Sequence, residues 1–87
     1  MTNVVKIFYT DGKVEEVNKK MTYEEIRKII GGIIQYVPST IARRSLIVHD
    51  EGYLLNLPDN IEATKLLSPN VLRASEYIKG NAILAKS

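Results

Sequence analysis

The chain has 87 residues, 45% of them hydrophobic and 25% charged, which fits one small α+β domain over 1–87 and leaves no room for a second. Twelve basic and ten acidic residues are interspersed at a formal net charge of +2, far from the dense basic stripe of a dedicated nucleic-acid binder. Without cysteine there is no disulfide and no thiolate zinc site, and one histidine leaves little for another transition metal.

The amino-terminal "MTNVVKIFYTDG" has no basic leader, and Lys6 and Asp11 break its apolar run, so neither a signal peptide nor a membrane span is expected. Lack of cysteine is compatible with a reducing cytoplasm. β-Branched and aromatic residues flank Asp11-Gly12, which supplies the positive φ of a tight hairpin; strands are expected at Val4–Tyr9 and Lys13–Val17. In "MTYEEIRKIIGG", Thr22 and Glu25 form a capping box, with Met21 and Ile26 in the staple positions around it. Tyr23, Ile26, Ile29 and Ile30 then recur at helical spacing and predict one buried face.

Gly31-Gly32 follows this helix. A phosphate cradle needs glycines leading into a helix N-terminus, where free N–H groups and the positive dipole end meet the anion. Here the pair stands at the carbonyl end, so it is read as a left-handed C-cap that turns "IIQYV" into the sheet. Close approach of another backbone is the remaining role for it. Pro38 closes that strand, and "STIARR" reads as a loop. "SLIVHDEGYLLNL" predicts a second hairpin about Asp50-Glu51-Gly52. A second helix is expected in "PDNIEATKLL", capped by Asp59 or Asn60 and ended by Pro69. "NVLRASEYIKG" fits neither period and is read as a short helix or an irregular excursion. Gly80-Asn81 turns into a last strand, "NAILAKS". The sum is an α+β fold with a mostly antiparallel sheet of about five to six strands and two helices packed on one face.

Chemistry-bearing residues are few. His49 has acidic neighbours, Asp50 and Glu51, but strand alternation separates their faces, so a solvated hairpin-end histidine is expected instead of a general base. Ser39, Thr40 and Ser45 have no nucleophile context, and the paired carboxylates do not have the spacing of a calcium loop. No catalytic residue, metal or cofactor is therefore expected. Arg43-Arg44 offers two guanidinium forks for phosphate or an acidic surface, and Lys19, Lys20, Arg27 and Lys28 would extend it if the fold gathers them. Five tyrosines against one phenylalanine suit an interface; Tyr9, Tyr36, Tyr53 and Tyr77 are candidates for an exposed sheet face. A chain this short buries only roughly 60 to 65% of its unfolded surface, so a homodimer would complete its core.

Taken in order, "IIGGIIQYVP", "LIVHDEGYLLNLP", "NIEATKLL" and "IKGNAILAK" resemble a family of small bacterial and phage proteins known only as a domain of unknown function. Gly31, Gly32, Tyr36, Glu51, Gly52, Asn60, Ala63, Gly80 and Asn81 stand at the matching positions, and the likeness spans about Ile26 to Lys86. The sequence departs from it at His49 and in the longer "SPNVLRASEY". The resemblance implies no activity; it implies an accessory protein acting on host machinery. The leading expectation is thus a non-catalytic binder of a host protein, of viral or mobile-element type, using Tyr36, Tyr53, His49 or the Arg43-Arg44 loop. A sequestering protein for a phosphate-bearing ligand, gripped by Arg43, Arg44 and Gly31-Gly32, is the alternative, and a weak nucleic-acid binder the third class. Gly12, Thr22, Glu25, Gly31, Gly32, Gly52, Asn60 and Gly80 are read as turns and caps.

Overall fold

A computed structural model describes residues 1–52, 54–67 and 77–86. Five strands form one antiparallel sheet in the order β2-β1-β5-β4-β3: β1 Thr2–Phe8, β2 Val14–Met21, β3 Ile34–Pro38, β4 Arg44–His49 and β5 Ala82–Lys86. The helices are α1, Tyr23–Ile30, and α2, Ile61–Thr64. The last strand lies at the centre, between β1 and β4.

The first hairpin turns where the Asp11-Gly12 pair requires it. Gly12 has φ 94°, Tyr9 N–H donates to Lys13 O at 2.9 Å, and the Asp11 carboxylate accepts from Lys13 N–H at 2.9 Å. β2 runs four residues beyond the expected Val17 and hands the chain directly to the helix cap. What the polar "NKK" hides is a bulge: Val4 opposes Lys19 and Lys6 opposes Glu16, so β2 spends one residue more than β1, and Asn18 takes a left-handed φ of 49°. Against β5 the same part of β1 also carries one extra residue. The shift explains why Val4 and Ile7, three apart, point to the same side of the sheet.

α1 begins as its sequence dictates. Thr22 Oγ1 accepts from Glu25 N–H at 3.1 Å, and Glu25 Oε1 accepts from Thr22 N–H at 2.9 Å. Met21 and Ile26 are buried in one cluster, as the staple requires. Tyr23, however, is not part of the buried face: it is 57% exposed, with the Arg27 guanidinium 5.8 Å from its ring centre.

The two helices do not share a face. Ile26 and Ile30 of α1 pack with Val4, Ile7, Ile47, Ile83 and Ala85, whereas Ala63 of α2 packs with Phe8, Leu46, Val48, Ala82 and Leu84. Alternation along β4 and β5 sends these sets to opposite sides. Strands covered on both sides must be apolar throughout, which is why "LIV" and "AILA" run without a polar break.

The expected second hairpin does not form. After β4, residues Leu54–Asn56 turn instead of extending: Leu55 N–H donates to Glu51 O at 2.9 Å, Leu57 N–H donates to Gly52 O at 3.1 Å, and Asn56 has φ 52°. Gly52 is fixed by space, because a Cβ there would stand 2.9 Å from Lys79 O. α2 is also shorter than expected, and Asn60, not Asp59, caps it, accepting from Ala63 N–H at 3.2 Å. The expected Pro69 stop and most of "NVLRASEYIKG" lie outside the described residues. Gly80, at φ 88°, does turn the chain into β5.

Candidate functional site

His49 ends β4 opposite Ile34, and it is buried at 7% exposure, not solvated. Its Nδ1 accepts from Glu51 N–H at 2.9 Å, and its ring lies against Gly32, where an added Cβ would come 2.6 Å from Nε2. The two glycines therefore divide the work. Gly31 is the left-handed cap, at φ 92° with its N–H donating to Arg27 O at 2.7 Å, while Gly32 makes room for an imidazole. What approaches this pair closely is a side chain, not the other backbone expected.

Beside the glycines is an open hollow of about 490 Å3 lined by Glu24, Arg27, Lys28, Gly31 and Gly32. Arg27 Nε donates to Gly32 O at 3.4 Å, so its charge is turned to the carbonyl end of α1. A carboxylate and exposed carbonyls beside it disfavour an anion there.

Arg43 and Arg44 are at the other end of this hairpin. Four residue steps of ladder, roughly 13 Å, separate the pair Ile34–His49 from the pair Pro38–Ser45. A single protomer thus cannot close Arg43, Arg44 and Gly31-Gly32 on one phosphate. Arg44 is also a strand residue, opposite Lys86, and not a loop residue. Arg43 has φ 60° in a tight loop held by Ser39, whose hydroxyl donates to Arg44 O at 2.8 Å and accepts from Ile41 N–H at 3.2 Å. Arg44 Nη1 donates to Arg43 O at 3.1 Å.

Of the expected basic extension, Lys19 and Lys20 do reach the sheet end that carries Arg44, and Lys86 joins them; Arg27 and Lys28 instead line the hollow by Gly31-Gly32. Lys86 carried no local motif. Only the pairing of β5 between β1 and β4 brings it there.

Tyr36 is on edge strand β3, opposite Ile47, and 55% exposed. Its side of the sheet is the one α1 covers, but α1 rests on β4 and β5. Ile33, just before the strand, is 52% exposed. β3, "IQYVP", contains no charge, in contrast to the other edge, β2, which carries Glu15, Glu16, Lys19, Lys20 and the Asn18 bulge. Charges and bulges are how an edge resists pairing with another chain, so β2 is defended and β3 is open. Just past Pro38 the chain is covered, with Thr40 N–H donating to Leu66 O at 2.8 Å. Among the described residues no further strand pairs with Ile34–Pro38. Tyr53 lies outside the described residues, and Tyr9 packs against the core beneath α1.

Asn60 and Asn81 have structural partners. Asn60 Nδ2 donates to Phe8 O and Gly80 O, each at 2.9 Å, and Asn81 joins α1 to the first hairpin, donating to Ile29 O at 3.0 Å and accepting from Thr10 N–H at 3.2 Å. Among the described residues no group of His, Asp and Glu is placed to hold a metal ion, and no helix is long and apolar enough to cross a membrane. Comparison with protein-family models, with curated proteins and with solved structures finds no match.

Proposed function

We propose that the chain is a small non-catalytic binding protein of viral or mobile-element type, which occupies a host protein in the host cytoplasm through the open edge of β3. The observation that supports this reading is the contrast between the two edges: one guarded by charge and a bulge, the other uncharged, with exposed Tyr36 on it and exposed Ile33 just before it. A partner strand laid along Ile34–Pro38 would gain main-chain hydrogen bonds, and Tyr36 would supply an aromatic anchor beside them. The viral or mobile-element origin and the host partner rest on the family resemblance.

Affinity capture tests it with two baits, the native chain and Tyr36→Lys. The exposed lysine should leave the fold intact but place a charge on the edge. One stoichiometric host protein retained by the native bait and lost from Tyr36→Lys supports the proposal. Equal recovery on both baits moves the interface away from β3.

A further inference from the structure

At the sheet end remote from His49 there is a cavity of about 290 Å3 lined by Asn3, Val4, Asn18, Lys19, Lys20 and Lys86. Three strands build it. Asn3 opposes Lys20 across the first hairpin, and Val4 opposes Ala85, which brings Lys86, the next residue, alongside Asn3. Val4 and Ala85 belong to the cluster beneath α1, so strand alternation sends Asn3, Lys20 and Lys86 to the opposite side together. The bulge at Asn18 interrupts the regular ladder beside them.

Of the lining residues, Asn3, Lys20 and Lys86 share the side of the sheet away from α1, whereas Lys19, opposite Val4, faces α1 and acts on Glu25; no acidic residue lines the cavity. Ion pairs engage Lys13, Lys65 and Lys79, but among the described residues none engages Lys20 or Lys86. Like charges gathered in a concavity repel one another, and an anion between them removes that repulsion. A single carboxylate would neutralise one of the two. A phosphate group carries about −1.5 to −2 charge and three acceptor oxygens, so it answers the pair better. No aromatic ring lines the cavity, so there is no platform for a nucleobase. Its size lies near the lower bound of small-molecule sites, about 300 Å3.

We infer that this cavity binds the phosphate group of a small phosphorylated ligand, with Lys20 and Lys86 gripping it from two strands and Asn3 donating between them. The site is separate from β3 and does not depend on a protein partner.

The test is an amide-resolved NMR titration with inorganic phosphate at low salt. A saturable response centred on Asn3, Asn18 and Lys86 is expected, and Lys20→Gln/Lys86→Gln should raise Kd by about tenfold or more, since each charged hydrogen bond lost is a large share of so small a contact. Arg43→Gln, in the exposed loop at the same end but outside the lining, should leave Kd unchanged. The inference fails if the response does not saturate, or if the arginine variant loses as much as the lysine variant. It also fails if a single-stranded oligonucleotide binds more tightly and perturbs the 39–43 loop as well. Should the double lysine variant lose its native spectrum, Lys86→Gln alone, exposed at a strand end, decides the matter by the same readout.

Discussion

At Gly31 the backbone is left-handed with open space around it, whereas at Gly32 the obstacle is the imidazole of His49. Gly31→Ala should cost about 1 kcal/mol, from the conformation alone. Gly32→Ala should cost about 1 to 3 kcal/mol, because the buried ring is held by Glu51 N–H and must move. A denaturation cycle separates the two: His49→Ala should recover much of the Gly32→Ala loss and none of the Gly31→Ala loss. Additive losses at Gly32 and His49 would remove the steric explanation. The helix stop was legible because capping is local, but the reason for the second glycine was not, since it depends on His49 being folded back across the β3–β4 pair. Asn60 teaches the same lesson. Its cap to Ala63 is readable, while its bonds to Phe8 O and Gly80 O join parts of the chain that no local pattern relates. Asn60→Asp keeps the cap oxygen but turns a second acceptor toward two carbonyls, so thermal unfolding should show it at least as destabilised as Asn60→Ala, each by about 3 kcal/mol.

Among the elements, α1 is the one whose start the sequence specifies most fully, and it supplies a pH signature. Hydrogen bonding to the Thr22 backbone and side chain, with a smaller pull from Lys19, holds the Glu25 carboxyl below the usual glutamate range. A carboxyl lowered in the folded state adds stability that is present above its unfolded value and disappears as pH falls through the folded one. Acid titration of stability should therefore lose part of its slope in that window in Glu25→Gln, and Thr22→Ala should cost about 1 kcal/mol at neutral pH. An unchanged acid slope in Glu25→Gln would separate the box from the pH response. The second hairpin was misread because Tyr53, Leu54 and Leu55 look like strand residues beside a Gly turn. Leu54 and Leu55 are exposed instead, Leu54 at 82%, because Gly52 packs against Lys79 and turns the chain back before it can pair. The four-residue α2 shows tertiary context overriding a longer helical pattern: Asn60 and Thr64 are tied to Ile78, Thr64 Oγ1 accepting from Ile78 N–H at 2.9 Å.

For the whole molecule, the decisive feature is that the last strand fills the middle of the sheet. Without β5, β2-β1 and β4-β3 would be two separate hairpins, each with an uncovered apolar edge. Cooperative folding thus waits on Ala82–Lys86, whose unbroken apolar run was readable as a strand but not as the central one, because strand order is decided by which faces the helices cover. The arrangement sets an order of local stability that hydrogen exchange can measure. Amides of β5 and the β4 and β1 positions beside it should exchange slowest, while the amides on the outer edges of β2 and β3 should exchange fastest. β3 carries a further distinction. If its open edge is used by a second copy, its outward amides should become protected as protein concentration rises, in alternate residues and without change in β2. If it is kept for a different protein, that protection should be absent at every concentration and appear only with the partner bound. Protection of β2 in preference to β3 would contradict the reading of charge and bulge as the guard of one edge, and with it the place assigned to Tyr36.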